Sequence, residues 1–452
     1  MARKEIQTDM TAGNPSKIIL NFTIPIFIGN IFQQFYNMAD TVIVGKFVGT
    51  GALAAVGSVG TIVFLIIGFL QGLTAGFSVL TAQRFGAGDM ENMRKSVGTA
   101  CILSLIITVV MTAGSMLGMN WLLHFMNTPE DIFADAYAYI MIICGGIAAT
   151  VLYNLLSGIL RALGDSKTPL YFLILSAVLN IGLDLFLIIV FHMGVAGAAY
   201  ATVISQGVSG VGCLVYIIKK VPLLKMKKED FRPRGYLIKM EMAVGFPMAL
   251  QYSITAVGTM MVQSSLNLLG SLSVAAFTAA NKIESIGTQA YVALGTTMAT
   301  YCAQNIGAGD IKRIRQGFRS ATVMGSIYGV ILAVPMMTVG KYLTYLFVSQ
   351  DVEVIIGQVD IYLKCVGLFL IPLTVVNVYR NGIQGMGYGF LPMLAGVAEL
   401  VGRGAVALWA AGQRSYVGAC MASPAAWILA GGLLLLMYFW IMKKQSRYGN
   451  LE

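Results

Sequence analysis

The 452-residue chain is 57% hydrophobic and only 11% charged, whereas charged residues make up about a quarter of an ordinary soluble domain. This composition excludes a soluble globular protein and predicts an all-α polytopic membrane protein. The net charge of +10 could indicate a nucleic-acid partner. Most Lys and Arg residues, however, lie between apolar stretches on one side of the predicted membrane, so we expect no nucleic-acid partner.

Twelve apolar stretches are close to the length of about 20 residues that crosses the hydrocarbon core of a bilayer. They lie near residues 18–45, 52–80, 95–120, 132–156, 170–192, 194–218, 240–268, 273–302, 317–345, 353–380, 391–411 and 417–442. The predicted outer loops hold only Lys46, Lys341 and Arg414. By the positive-inside rule, both termini, including Arg3 and Lys4, are cytoplasmic. We expect a multi-pass protein of the plasma (inner) membrane.

An internal repeat divides the chain. The segment Gln83–Asp89 (QRFGAGD) returns 221 positions later as Gln304–Asp310 (QNIGAGD), and Pro25 returns as Pro247. Such repeats are typical of alternating-access carriers. We expect Asp89 and Asp310 to cap the helices that follow them.

The repeat predicts two six-helix lobes related by a pseudo-two-fold axis along the membrane normal, because an even number of helices gives both copies one orientation. Residues 1–217 form the N-lobe with helices 1–6, and residues 240–452 form the C-lobe with helices 7–12. The intervening residues 218–239 are a basic cytoplasmic linker.

Polar side chains in the N-lobe suggest a cation site. Gln34, Asn37 and Asp40 are spaced at threes and share one face of helix 1. A charge within a span is costly, so Asp40 should face a cavity or a partner. Counted from the outer turns, oxygen-bearing side chains of four helices lie roughly 8–12 Å below the outer surface. They are Asp40, Tyr139, Asp184 and Thr202, with Asn154 and Asn180 on two of the same helices.

Two carboxylates held close in a poorly hydrated site cannot both stay ionised cheaply. One must take a proton, or Na⁺ must bind among the oxygens of Asp40, Asn180, Asp184 and Thr202. The alternative is that Asp184 only hydrogen-bonds Asn180, four residues away, as a satisfied core pair.

The charged residues of the C-lobe are less distinctive. Glu399 and Arg403 are four apart on helix 11 and can neutralise each other, although Glu399 could also take part in coupling. Lys282 and Glu284 fall near mid-membrane on helix 8. Both a role in a substrate-facing cavity and a structural role are open for this pair.

No nucleophile–base pair, metal-ligand spacing or cofactor fingerprint is visible. The GAGD turns follow no strand and precede no GK[ST] sequence, so they do not indicate a phosphate-binding loop. We therefore expect no enzymatic activity, no cofactor and an ion gradient as the energy source. A passive channel is the other possibility. It would not couple the movement of a solute to the opposite movement of an ion.

Several segments resemble the multidrug and toxic compound extrusion (MATE) transporters. They are the stretch from Pro25 through Asp40 to Gly45, the GTGALAAVG segment 49–57, the paired GAGD turns, the RALGDSKTP segment 161–169 and the NIGLD segment 180–184. The resemblance implies a secondary active antiporter that exports cationic or amphipathic compounds in exchange for H⁺ or Na⁺.

In that family the acid of helix 1 and the polar set of helices 5 and 6 form the cation site. The resemblance places those roles on Asp40, Asn180, Asp184 and Thr202, with Tyr139 and Asn154 adjoining. It leaves one alternative, a lipid-linked oligosaccharide flippase of the same superfamily, which a strongly cationic groove would favour. We expect small-molecule substrates and membrane lipids as partners, and a monomer.

Overall fold

The computed structural model describes residues 9–126, 128–346 and 352–448. These described residues are almost entirely helical and contain no β-strand. Arg3 and Lys4, on which part of the topology prediction rests, lie outside them. The all-α fold predicted from composition is confirmed.

The first half of the chain forms seven helices among the described residues. They are α1 (Pro15–Ile43), α2 (Thr50–Gly86), α3 (Met90–Phe125), α4 (Glu130–Gly145), α5 (Ile147–Ala162), α6 (Lys167–Leu185) and α7 (Gly194–Lys220). Two of them, α1 and α6, continue into single π-helical turns, Val44–Val48 and Phe186–Val190. The linker after α7 contains two short 3₁₀ turns, Pro222–Leu224 and Lys228–Phe231.

The second half repeats this order. It comprises α8 (Gly235–Asn267), α9 (Ser271–Gly307), α10 (Ile311–Thr338), α11 (Val352–Gly367), α12 (Leu370–Gly385), α13 (Phe390–Gly412) and α14 (Tyr416–Tyr448), with a 3₁₀ segment at Gly340–Leu346. Helices α2 and α9 each have 37 residues, and α4, α5, α11 and α12 each have 16. The internal repeat seen in the sequence therefore extends to the lengths of these three helix pairs.

Ten of the twelve predicted spans pass as membrane-crossing segments by length and composition, eight as single helices and two as bent pairs. The predicted spans at 132–156 and 353–380 are each a bent pair of helices, with a bend of 45° between α4 and α5 and of 53° between α11 and α12. The first break falls at Gly145–Gly146, where helix propensity is low. At the second, the ring of Pro372 would clash with the carbonyl of residue 368 in a continuous helix.

The other two predicted spans correspond to α8 and α9. With 33 and 37 residues, both are long enough to cross a bilayer at 1.5 Å per residue. Both contain many Ser, Thr, Gln and Asn residues, which lower their hydropathy. Counting each bent pair once, the described residues contain twelve long helical segments.

The chain divides into two compact units. The body of unit 1 is Ile28–Ala249, whereas unit 2 comprises Met10–Phe27 and the chain from Leu250 onward. The divisions therefore lie inside α1 and α8, just after Pro25 and Pro247, and do not coincide with the lobe boundaries predicted from the helix count. Proline lacks the N–H that would continue the hydrogen-bond ladder, so the two parts of each helix can pack independently.

The first part of α8 packs closely on α2 within unit 1. A Cβ on Gly72 would lie 2.6 Å from the Met248 carbonyl oxygen, and one on Gly76 would clash with the Gly245 backbone. Side chains larger than hydrogen are excluded from this crossing. The corresponding crossing in unit 2 uses a hydrogen bond of 2.9 Å between the hydroxyls of Thr23 and Thr297.

The two GAGD turns end in helix caps, as predicted. The Asp89 carboxylate accepts the backbone N–H of Asn92 at 3.1 Å, and the Asp310 carboxylate accepts that of Arg313 at 2.9 Å. These bonds satisfy N–H groups that have no partner within the helix. A further hydrogen bond from the Asn92 side chain lowers the pKa of Asp89.

Candidate functional site

The candidate site in unit 1 is built around two acids that the sequence separates by 144 positions. Asp40 near the end of α1 and Asp184 near the end of α6 bring their carboxyl groups within hydrogen-bonding reach of each other. Asp184 is fully buried and Asp40 is partly buried. We call Asp40 and Asp184 the acid pair.

Both acids lie just before a π-helical turn. The turn Val44–Val48 follows Asp40, and the turn Phe186–Val190 follows Asp184. The two turns contact each other. Single π-helical turns occur often at functional sites because they re-aim side chains and loosen the local hydrogen-bond ladder. Here they end two helices at the level where the acids meet.

The oxygens of the acid pair lack donors. Asp40 Oδ1, both carboxylate oxygens of Asp184 and the amide oxygen of Asn180 are buried without a hydrogen-bond partner among the described residues. No ion pair formed by the described part of the chain includes either acid. Ionised carboxylates only accept hydrogen bonds, so they cannot satisfy each other. A shared proton or a bound cation would supply the positive charge that both carboxyl groups lack.

Neutral polar groups surround the pair. The Asn180 side-chain amide donates to Thr202 Oγ1 on α7 at 3.4 Å, so the alternative of a simple Asn180–Asp184 core pair is not the arrangement found. Tyr139 on α4 is 8% exposed and lies within electrostatic range of both acids. Elements α1, α4, α6 and α7 thus each contribute to one cluster.

Tyr36 and Gln206 belong to the same cluster but did not figure among the predicted site residues. The Tyr36 hydroxyl lies within hydrogen-bonding reach of the side chains of Gln33 and Gln206, and Thr150 Oγ1 donates to Gln206 Oε1 at 2.5 Å. Helical spacing could have identified both residues from the sequence. Tyr36 precedes Asp40 by four residues, and Gln206 follows Thr202 by four, so each shares a face with a predicted residue.

Three other predicted residues lie farther from the centre of the cluster. Asn37 has an exposed side chain, and its backbone carbonyl accepts the Thr41 hydroxyl at 2.8 Å. Gln34 and Asn154 are partly buried. The contacts of the described residues do not join any of the three to the acid pair.

In unit 2 the buried acids are paired. Arg380 Nη2 contacts Glu399 Oε2 at 2.5 Å, and Arg403 Nη2 contacts Glu399 Oε1 at 2.7 Å. The predicted neutralisation of Glu399 by Arg403 is confirmed. Arg380 was missed because it is the last residue of the predicted span 353–380, and its partner Glu399 belongs to the next helix along the chain.

Glu284 on α9 is also buried and bonded. It accepts the hydroxyl of Tyr362, which in turn accepts the side-chain amide of Asn281 at 3.4 Å. Arg403 lies within electrostatic range of Glu284. Lys282, two residues earlier, has an exposed side chain. Glu284 therefore continues the polar network of Glu399 rather than forming a separate unpartnered acid.

Comparisons with known proteins support the fold and the family. The MatE family model matches residues 25–186 and 244–408, once in each half of the chain. The "Probable multidrug resistance protein YpnP" of Bacillus subtilis is 33% identical over 377 residues, which are 83% of this chain and 83% of the relative. The "FAD transporter" of Shewanella oneidensis is 25% identical over 383 residues, covering 82% of this chain and 84% of the relative.

A solved structure has the same fold along almost the whole chain. An outward-facing multidrug resistance MATE family transporter of the MOP superfamily superposes with a TM-score of 0.92 at 25% identity. The match covers 98% of this chain and 99% of that one. The chain therefore belongs to the MatE family, the multidrug and toxic compound extrusion transporters, which are multi-pass membrane proteins and not enzymes.

Proposed function

We propose that this transporter is a secondary active antiporter, which exports cationic or amphipathic compounds in exchange for H⁺ or Na⁺ by alternating access. The coupling ion binds at the acid pair, Asp40 and Asp184. The observation that carries this proposal is that a buried and a partly buried carboxyl group meet without a cationic partner among the described residues.

The physical basis is the cost of charge in a poorly hydrated site. Two adjacent carboxylates repel each other, and burial penalises each charge further. One bound cation removes most of this cost. Its arrival or departure therefore changes the relative stability of conformations that hold the acids together and conformations that separate or hydrate them. This differential binding couples the ion gradient to the conformational change.

The set of ligands is compatible with either ion. A proton needs only the acid pair, whereas Na⁺ favours several hard oxygens. Asn180 Oδ1 and Thr202 Oγ1 offer two more beside the carboxylates. We further propose that the protein acts as a monomer in the plasma (inner) membrane with both termini in the cytoplasm.

The flippase alternative is not favoured. It would require a large free cationic surface. Two of the cations predicted within the spans are neutralised, Arg403 by Glu399 at 2.7 Å and Lys364 by Asp360 at 2.7 Å. A relative of 25% identity is nevertheless named as an FAD transporter, so the substrate test must include an anionic compound.

The test uses purified protein in liposomes, with ethidium as the cationic probe and FAD as the anionic comparator. Uptake is measured under a pH gradient alone and then under a sodium gradient alone. We expect ethidium transport with one of the gradients, and loss of that transport in Asp40→Asn. The control Glu91→Gln changes an exposed residue paired with Lys95 and should leave transport unchanged. Full gradient-driven uptake by Asp40→Asn would contradict the coupling role.

A further inference from the structure

A second unpartnered acid lies in unit 1, on the first part of α8. The side chain of Glu241 is completely buried. Neither carboxylate oxygen has a hydrogen-bond partner within the part of the chain that the structure describes. No ion pair of the described residues includes it. Buried polar groups are nearly always bonded, so this exception calls for an explanation.

The surroundings of Glu241 are tightly packed. Gly245, one turn further along α8, meets the backbone of α2 at Gly76. Cys101 on α3 is the neighbouring titratable group, and Gly98, one turn before it, touches the Asp230 carbonyl of the linker. Glu241 is therefore held where α8 meets α2 and α3.

The parts of α2 and α3 that lie beside Glu241 carry no positive charge. The cations of these two helices, Arg84, Arg94 and Lys95, lie nearer the GAGD turn, where Arg84 pairs with Asp89 and Lys95 with Glu91. The α2 stretch from residue 72 to residue 83 contains no titratable side chain, and the α3 stretch from 96 to 110 contains only Cys101. On α8 itself, Lys239 is exposed. In the linker, the Asp230 carboxylate accepts the backbone N–H of Lys227 at 2.7 Å. An ionised Glu241 would thus be a buried, uncompensated charge, which is strongly disfavoured.

The internal repeat shows that the fold does not require an acid at this position. The offset that relates Pro25 to Pro247 places Ile19 of unit 2 opposite Glu241, and Ile19 is also completely buried. An apolar side chain thus satisfies the same packing position. Glu241 adds a titratable group where its counterpart contributes only hydrophobic contact.

We propose that Glu241 is a proton-binding site distinct from the acid pair. It carries a proton while the first part of α8 packs on α2 and α3. When that contact opens, the carboxyl group meets water, releases the proton to it and becomes a carboxylate. Pro247, which interrupts the hydrogen-bond ladder of α8, lets the first part of the helix move separately. Glu241 binds this proton whichever ion drives transport.

Infrared spectroscopy of the full-length protein in detergent tests the protonation directly. The wild-type protein near neutral pH should show the carbonyl band of a protonated carboxylic acid that is absent from Glu241→Gln. The band should persist in Glu91→Gln and, as a separate component, in Asp40→Asn. Glu241→Leu introduces an apolar side chain similar to that of Ile19, its counterpart in the repeat. This variant should fold and should lack the band. Identical spectra for the wild type and both Glu241 variants would overturn the proposal.

Alkylation of Cys101, followed by peptide mass spectrometry, tests the opening. The rate in the wild type is divided by the rate in Glu241→Gln at each pH, which cancels the ordinary ionisation of the thiol. The ratio should rise severalfold above one as pH increases, because ionisation of Glu241 separates α8 from α3. A carboxylate that merely opposed formation of the thiolate would lower the ratio. A ratio at or below one at every pH would contradict the proposal.

Discussion

The two units share one order of helices but treat buried charge in opposite ways. In unit 1, Asp40 and Asp184 meet without a cation among the described residues. In unit 2, Glu399 is held between Arg380 and Arg403. Duplication of a helical bundle therefore preserves the packing, while a few substitutions decide whether a buried acid can exchange an ion or is fixed in a permanent pair.

The largest effect should follow from changing the acid pair. Asp184→Asn removes one of the two acids. The free-energy cost of ionising Asp40 then falls, so the site no longer needs a coupling ion. We expect gradient-driven ethidium uptake to fall by about a hundredfold, equivalent to about 2.7 kcal/mol. Thermal unfolding in detergent should show no loss of stability. A variant that unfolds early would indicate a structural acid instead.

Breaking the network of unit 2 should instead cost stability. Glu399→Ala leaves Arg380 and Arg403 side by side without their shared carboxylate, and breaking a buried pair typically costs roughly 3–5 kcal/mol. The measurement is the unfolding midpoint of the purified protein. Replacing Arg380, Glu399 and Arg403 together by Met, Leu and Met should recover most of the loss, because no uncompensated charge remains. Equal destabilisation by the single and triple variants would contradict this interpretation.

The helix crossings allow a smaller comparison. Gly76→Leu forces a side chain against the Gly245 backbone and should destabilise the protein by about 1–3 kcal/mol, as overpacking usually does. In unit 2, Thr297→Val removes the hydrogen bond to Thr23 and should cost only about 1 kcal/mol. Unfolding midpoints of both variants check the order. Equal or reversed effects would show that the two crossings do not differ in tightness.

The smallest effect concerns the helix caps. Asp89→Ala and Asp310→Ala each remove a side-chain cap, which is typically worth about 1 kcal/mol. Because the pKa of Asp89 is lowered in the folded state, its contribution is present above the unfolded value of about 3.9 and is lost as pH falls through the folded value. The stability difference between wild type and Asp89→Ala should therefore vanish in acid. A difference that persists there would exclude an ionic cap.

The sequence predicted the helices and the repeat because apolar length and repeated motifs are local signals. It placed Asp40 and Asp184 at one depth because residues can be counted from each outer turn. It missed the breaks at Gly146 and Phe369, since hydropathy alone does not register a bend between two apolar helices. The sequence also did not predict contacts between residues of different helices. Neither the pairing of Arg380 with Glu399 nor the burial of Glu241 follows from spacing along one helix.

The divisions inside α1 and α8 could not be predicted from the helix count for a related reason. The divisions between the units, after Phe27 and Ala249, depend on which neighbour each half of α1 and α8 packs against. Pro25 and Pro247 mark positions where a helix can change its packing neighbours. The presence of a proline alone does not establish that the helix makes this change.

The most direct test of the acid pair is the ion released when substrate binds. Ethidium is added to the purified protein in weakly buffered detergent solution, and released H⁺ and Na⁺ are followed with separate indicators. We expect about one ion per bound ethidium from the wild type and from Glu91→Gln, and none from Asp40→Asn or Asp184→Asn. Undiminished release from either acid variant would contradict the assignment of the coupling ion to unit 1.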